Sequence, residues 1–421
     1  MRYGCIGEHL PHSFSKEIHG EIGSYDYALK ELAPDEIPAF MTEKDFSGIN
    51  VTIPYKQAVI PFLDYMDQTA KAIGAVNTVV NRNGELRGYN TDLFGLTWLI
   101  RRIGLDLSGR KVLILGTGGT SRTAAYTAQA LGARSIMKVS RTAKDGAISY
   151  DEALRKHTDA EIILNTTPCG MYPHPAEQPL SLKPFTRLQG IADVIYNPLR
   201  SRLVLEARAH GLPAEGGLYM LVAQAVRASE LFLDVTYPED LTDRIYGRIL
   251  RRKENLVLIG MPGSGKSAVG RALAEQTGLP FFDTDQLIVD RAGKPITKIF
   301  RDSGEKAFRD LESDVIRELS LRSGIIISTG GGAVLRPENV TALKQNGRLL
   351  WLDRDPDSLV PTGDRPLADT EDKMRNLYRE REPVYRSAAD EVIPVTGTPA
   401  EAAEHISRLS CSPDAHLNKS L

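Results

Sequence analysis

The chain has 421 residues, 42% hydrophobic and 25% charged, with a formal net charge of -2 at pH 7. That length exceeds one ordinary domain and points to two or three, in a composition typical of soluble globular proteins. The near balance of charge gives no reason to expect nucleic acid or an anionic membrane as partner, and no apolar run approaches the roughly 20 residues of a membrane helix. Cys5, Cys169 and Cys411 are too widely spaced for a metal pattern, so a reduced cytoplasm is the simplest compartment. A monomer and a homo-oligomer are both compatible with these numbers.

The N-terminus, Met1 to Gly7, reads as a first strand and not as a signal peptide. Residues 1–105 alternate short strands and helices, with polar residues where loops meet strand ends. His12-Ser13-Phe14-Ser15 offers two hydroxyls that an extended loop can aim together at a carboxylate. Asn50-Val-Thr52-Ile-Pro-Tyr-Lys56 ends a strand with a lysine, and Gly74-Ala-Val-Asn77-Thr78 adds an amide. Asn90-Thr91-Asp92 precedes a helical pattern over 93–103, so Asp92 is alternatively a plain helix cap. Caps, turns and surface charges account for most of these residues singly; Lys56 is the exception.

Next comes Val112-Leu-Ile-Leu-Gly116-Thr117-Gly118-Gly119-Thr120-Ser121-Arg122, an apolar strand, a glycine turn and a helix over 123–131. This is similar to a Rossmann dinucleotide turn, with Ser121 in place of the third glycine yet small enough for close helix packing. The following strand, Ser135 to Val139, ends in Ser140-Arg141-Thr142. An NAD site usually carries a carboxylate there; a polar and then basic position suits the 2′-phosphate of NADP. The alternative for Arg141 is a solvated loop charge.

Taken in order, these motifs resemble shikimate dehydrogenase over about residues 2–250. Further matches are Gly88-Tyr-Asn-Thr-Asp92, Asn165-Thr-Thr167 with Gly170-Met171, Asp193 to Pro198, and Gly217 to Gln224. The resemblance implies a substrate lobe at 1–105, completed by helices of about 218–250, and a Rossmann NADP-binding domain at 106–217. It implies that Ser13, Ser15 and Tyr196 bind the substrate carboxylate and that Thr52, Asn77, Asp92 and Gln224 hold ring hydroxyls. Lys56 and Asp92 would be the catalytic pair. Gly116, Thr117, Gly118, Gly119, Thr120, Ser140, Arg141, Thr142 and Gly217 would line the cofactor. Chemically, hydride delivery to a ketone builds an alkoxide that a cation stabilises and a proton quenches, which Lys56 does if Asp92 holds it. The family's Gly-Ala-Gly-Gly-Ala-Ser-Arg appears here with Thr117 and Thr120, and its Asn-Arg-Thr as Ser140-Arg141-Thr142.

A helical pattern over 231–250 leads into Arg251-Arg-Lys-Glu-Asn255, a charged stretch read as a linker at about 250–255. The buried-looking strand Leu256 to Ile259 then enters Gly260-Met-Pro-Gly263-Ser264-Gly265-Lys266-Ser267, with a helical pattern over 268–277. Strand, G-x-x-x-x-G-K-S and helix together make a phosphate cradle: inward N–H groups and a helix N-terminus face the anion, Lys266 reaches the outer phosphates of ATP, and the Ser267 hydroxyl holds Mg²⁺. Asp283 and Asp285 sit at the next strand end, Asp283 toward the Mg²⁺ waters and Asp285 toward an acceptor hydroxyl. Arg309 and Glu312 lie three apart on a helix, and Gly330, Gly331 and Gly332 end a strand where backbone amides can approach a small ligand. A basic helical stretch runs from Tyr378 to Tyr385.

Residues 255–410 resemble shikimate kinase, implying a P-loop α/β domain at about 254–410 and a loose tail at 411–421. By that resemblance Asp285, Arg309, Gly330, Gly331, Gly332 and Arg381 bind shikimate, with Asp285 orienting or deprotonating its hydroxyl and two arginines suited to one carboxylate. Arg365 matches the lid arginine that meets the transferred phosphate, and Arg354 is a candidate adenine-side contact. The lid segment from Val360 to Arg365 is short and poor in basic residues, which would weaken ATP binding or raise wasteful hydrolysis.

The sequence therefore reads as an α/β bifunctional enzyme of the shikimate pathway. Its first half would use NADP(H) to reduce 3-dehydroshikimate, and its second half ATP and Mg²⁺ to phosphorylate shikimate. One alternative for the first half is a quinate/shikimate dehydrogenase using NAD, which fusion to a biosynthetic kinase argues against. Another is a nucleotide-sensing regulatory protein, which the intact Lys56, Asp92, Lys266, Ser267, Asp283 and Arg309 argue against.

Overall fold

The computed structural model describes residues 1–10, 13–143, 146–359 and 371–411. Its elements are mixed α/β, and it divides into two compact units between Ile249 and Leu250. Among the described residues no helix is long and apolar enough to cross a membrane.

The first unit holds two sheets. One is formed by β1 (Tyr3–Gly7), β2 (Tyr27–Glu31), β3 (Gly48–Val51), β4 (Tyr65–Met66), β5 (Thr78–Arg82) and β6 (Glu85–Tyr89), in the order β2-β1-β3-β5-β6-β4. Strand β1 is buried along its whole length, with Ile6 in one apolar cluster and Tyr3 and Cys5 in another, so the sheet is covered on both faces. The β5–β6 hairpin turns on Asn83-Gly84, both at positive φ (53° and 90°), as a two-residue hairpin requires. That turn sets Thr78 opposite Tyr89 and so brings Asn77 beside the segment entering helix Asp92–Arg102.

The second sheet is wholly parallel: β7 (Lys111–Leu115), β8 (Ser135–Val139), β9 (Ile162–Asn165), β10 (Gly190–Asp193) and β11 (Ala214–Glu215), ordered β11-β10-β9-β7-β8. The order reverses at β7, the switch point where open α/β sheets bind ligands, and the Gly116 turn follows that strand. Val112 to Leu115 are fully buried, which explains their unbroken apolar run. The helix after the turn starts at Gly119 and not at Thr123, running Gly119–Ala130.

Helix Leu218–Leu233 crosses helix Asp92–Arg102 closely: a Cβ at Gly95 would lie 2.5 Å from Met220 O and 3.1 Å from Gln224 Cβ. The pattern expected as one helix over 231–250 is two. The first ends where Asp234 takes the left-handed conformation (φ 55°), Pro238 follows, and Leu241–Lys253 begins afresh. The stretch expected as a linker is accordingly helical through Lys253.

The second unit has one parallel sheet: β12 (Asn255–Ile259), β13 (Phe281–Asp283), β14 (Ile326–Ser328), β15 (Gly347–Asp353) and β16 (Glu391–Pro394), ordered β13-β14-β12-β15-β16. Helix Lys266–Thr277 follows the P-loop directly. Helix Ile296–Ser320 is broken by Gly304 (φ 79°, ψ 169°), so Arg309 sits on a separately directed second half. Helix Glu371–Ala388 carries Arg381. Cys411 closes helix Pro399–Cys411 instead of opening a tail, and the rest of the expected tail lies outside the described residues.

Candidate functional sites

In the first unit Lys56 Nζ lies 2.6 Å from Asp92 Oδ2, with side chains only 14% and 10% exposed. Asp92 is not a cap. The residue before it, Thr91, makes no side-chain cap bond, and Leu93 N donates instead to Asn90 Oδ1. This leaves the Asp92 carboxylate to Lys56 and to Asn77, whose Nδ2 donates to Asp92 Oδ1 at 2.9 Å. The same amide donates to Thr91 Oγ1 at 3.0 Å and to Gln224 Oε1 at 3.5 Å. Val76 N donates to Lys56 O, tying the lysine's loop to the Asn77 segment. Four of the expected residues thus meet in one network: Lys56, Asn77, Asp92 and Gln224.

Thr52 is half-buried, and its methyl would lie 2.7 Å from a Cβ at Gly7. Ser13 and Ser15 adjoin as expected, but the turn between them is helical and not extended (Phe14 φ -82°, ψ -4°), with Ser15 N donating to Ser13 Oγ at 3.3 Å. Phe14 packs on the Tyr196 ring at 5.2 Å, which brings Tyr196 to the serine segment. Burial, with the Cys5 thiol adding to it, pushes the Tyr196 hydroxyl up to about 12. His12 lies outside the described residues.

Lys56 also lines a cleft of about 990 Å³ together with Gly116 to Thr120, Ser140 and Arg141. Gly116 is required twice over: its φ is 110°, and a Cβ there would come 2.8 Å from Thr166 Oγ1. Ser121 holds the turn by donating to Gly116 O at 2.7 Å. Arg141 is exposed at the cleft, and Thr142 N donates to Ser140 Oγ at 3.5 Å. Gly217 has no space for a side chain, since a Cβ would lie 2.1 Å from Val194 O; the constraint on it here is packing. Tyr150 and Cys169 line the same cleft and carry no sequence signal of their own.

In the second unit Gly260, Gly263 and Gly265 take positive φ of 144°, 81° and 92°. Lys266 is buried, its ammonium donating to Gly260 O and Met261 O at 2.9 and 2.8 Å. Ser264 is fully buried. Ser267 Oγ donates to Asp283 Oδ2 at 2.5 Å, while Asp283 Oδ1 caps the next helix by accepting from Asp285 N. Facing them, Arg309 pairs with Glu312 at 2.8 Å and with Glu305 at 3.3 Å. Arg381 Nη1 donates to Gly331 O at 3.1 Å. A pocket of about 690 Å³ is lined by Lys266, Ser267, Asp283, Asp285, Arg309, Gly330, Gly331, Gly332 and Arg381.

The three glycines are needed for space and not for φ: a Cβ at Gly330, Gly331 or Gly332 would lie 2.5 Å from Glu312 Oε1, 2.8 Å from Pro262 Cδ or 2.2 Å from Arg309 Nη2. Glu312, seen in the sequence only as Arg309's neighbour, is fully buried. Burial pushes its carboxyl above the usual range against the pull of Arg309. Its Oε1 has no hydrogen-bond partner among the described residues. Thr91, quoted in the sequence only as a neighbour of Asp92 and given no role there, has a hydroxyl that contacts Asn77, Thr78 and Gln224. Arg365 and the lid segment lie outside the described residues. Arg354 is near the loop, 3.9 Å from a Cβ at Gly265.

The family model for the shikimate dehydrogenase substrate-binding domain matches residues 5–79, and that for shikimate kinase matches residues 262–410. Shikimate dehydrogenase (NADP(+)) of Clostridium perfringens (strain SM101 / Type A) is 36% identical over 262 residues, 58% of this chain and 96% of that protein. Among solved structures, shikimate dehydrogenase 1 of Peptoclostridium difficile is 33% identical, covers 59% of this chain and 98% of its own, and has a TM-score of 0.55. Shikimate 5-dehydrogenase of Thermus thermophilus, solved in complex with NADP(H) and shikimate, is 28% identical, covers 59% and 99%, and has a TM-score of 0.54. Over its first unit the chain belongs to the shikimate dehydrogenase family, and with a shikimate kinase domain in the second it is a bifunctional enzyme of the shikimate pathway.

Proposed function

We propose that the first unit reduces 3-dehydroshikimate to shikimate with NADPH and that the second phosphorylates shikimate to shikimate 3-phosphate with ATP. The observation that carries the first half is Lys56, held 2.6 Å from Asp92 and lining one cleft with the dinucleotide turn. NADPH would supply a hydride to the carbonyl carbon. Lys56 gives a proton to the carbonyl oxygen, and Asp92 holds the ammonium in place. Asn77, Asp92, Thr52 and Gln224 hold the ring hydroxyls, and Ser13, Ser15 and Tyr196 the carboxylate. Ser140 and Arg141 line the cleft and, with Thr142, would meet the 2′-phosphate; a guanidinium there supports NADP over NAD.

In the second unit Lys266, whose ammonium is folded back on Gly260 O and Met261 O, would receive the outer phosphates. The Ser267 hydroxyl and Asp283 carboxylate, 2.5 Å apart, form the hard oxygen pair that suits Mg²⁺. Mg²⁺ would neutralise charge on the phosphates. Arg309 and Arg381 take the acceptor's carboxylate, and Asp285 orients the attacking hydroxyl, so catalysis is chiefly positioning and charge neutralisation. The lid role of Arg365 rests on its sequence match. The test is direct: the purified chain should oxidise NADPH only with 3-dehydroshikimate, and its Mg²⁺-dependent consumption of ATP should rise sharply when shikimate is added. Equal rates with NADH would overturn the cofactor assignment, and ATP turnover indifferent to shikimate would overturn the acceptor.

A further inference from the structure

We infer that Tyr385 is a positioning residue of the phosphoryl-transfer site, joining the triple-glycine turn to the phosphate loop so that acceptor and phosphate are presented in register. The inference rests on the acceptor reading proposed above and adds to it a residue that does not touch the acceptor itself.

Tyr385 and Arg381 lie four apart on helix Glu371–Ala388 and so share a face. Both donate to one carbonyl, Gly331 O: the tyrosine hydroxyl at 2.5 Å and Arg381 Nη1 at 3.1 Å. Two donors use both lone pairs of that oxygen and fix the orientation of the peptide between Gly331 and Gly332. On its other side Gly331 abuts the phosphate loop, since a Cβ there would lie 2.8 Å from Pro262 Cδ.

The ring makes a second connection. It stacks on Trp351 with centroids 6.0 Å apart and planes 22° apart. Trp351 pairs with Ile259 across β15 and β12, and its Cδ1 lies 3.4 Å from where a Cβ of Gly260 would sit. Tyr385 is therefore bonded to the acceptor turn through its hydroxyl and packed, through one fully buried indole, against the first glycine of the phosphate loop. Tyr385 is 1% exposed, and burial pushes its hydroxyl up to about 12, so it stays a donor at neutral pH. Removing that donor leaves the Gly331 carbonyl with Arg381 alone. The guanidinium then trades the substrate carboxylate against the backbone, while Lys266, Ser267 and Asp283 keep every contact they have. The loss should fall on the acceptor and spare the nucleotide.

The experiment uses the full chain carrying Tyr385→Phe, with the dehydrogenase rate on the same molecule as a measure of enzyme concentration. Kinase KM and kcat are measured for shikimate and for ATP, and unfolding is followed by calorimetry. Expected is a rise of about threefold to tenfold in the KM for shikimate, the effect of one buried hydrogen bond. The KM for ATP, the dehydrogenase rate and the unfolding temperature should change little. Tyr385→Leu, which also removes the stack on Trp351, should raise the KM for ATP as well. An active unmodified chain whose Tyr385→Phe form keeps its KM for shikimate, or shows equal rises in both KM values, overturns the inference alone. An unmodified chain that does not phosphorylate shikimate overturns the acceptor reading and this inference with it.

Discussion

The glycine turns after β7 and β12, both proposed to cradle phosphates, place their charge in opposite ways. After β7 the chain turns at Gly116 and enters helix Gly119–Ala130 with no cation before Arg122; Lys56 and Arg141 reach the cleft from other segments. After β12 the cation belongs to the loop: Lys266 is the first residue of its helix and folds back on the carbonyls of Gly260 and Met261. A phosphate loop is therefore legible as one contiguous pattern. A dinucleotide cleft is assembled by tertiary structure, and only its passive half is local.

Mutations can break this comparison. The largest effect is expected at Lys56→Ala, which removes the proposed proton donor and alkoxide partner together: dehydrogenase kcat should fall about 10³-fold, within the range for a lost general acid, with kinase turnover unchanged. A parallel loss of kinase activity without unfolding would mean that the charge of one site serves the other. Lys266→Ala should lower phosphoryl transfer by about 10²-fold, as for one removed electrostatic donor, and leave NADPH oxidation alone. Arg141→Asp should cost about tenfold or more in the KM for NADPH, through a lost charged hydrogen bond, and far less for NADH. Equal losses would return Arg141 to a solvated loop charge.

The smallest effect sharpens the comparison by testing the sheet under the first site and not its loops. His19 is fully buried against Tyr27, ring centroids 3.8 Å apart, and burial pushes its imidazole down to about 3 from 6.5. The unfolded chain binds a proton at that residue which the folded chain refuses. Its stabilisation is thus complete above pH 6.5 and is lost as pH falls from there toward 3, at up to about 1.4 kcal/mol per pH unit. Urea unfolding of the first unit at pH 7 and pH 5 should show a steeper loss for the unmodified chain than for His19→Phe. Parallel losses would assign the acid sensitivity to other groups.

What is legible in the sequence follows the same division. Strands β7 and β12 are apolar runs ending in glycine turns, and both stand where the pattern puts them. The meeting of Asn77 with Gln224, 147 residues apart, depends on how closely Gly95 lets two helices approach, which no spacing encodes. The helix break escapes a pattern reading because apolar periodicity runs on past Asp234, whose left-handed backbone ends the helix. The charged stretch before β12 resembles a linker because a helix with a polar end and a polar loop have the same composition. Glu312 looks minor in the sequence because its carboxylate reads as a surface partner of Arg309, while its full burial comes from the turn at Gly330 packing over it.

The tryptophan under the phosphate loop makes the chain an optical instrument with one channel per unit. The sequence has two tryptophans: Trp98 lies on helix Asp92–Arg102 beside Phe94, and Trp351 is wholly enclosed next to Gly260. Replacing either with phenylalanine leaves a single indole emitter. With Trp98 removed, the remaining emission should be blue-shifted and should respond to ATP; with Trp351 removed, it should follow the melting of the first unit and remain silent to ATP. Each catalytic unit could then be watched separately, in one molecule and without a label.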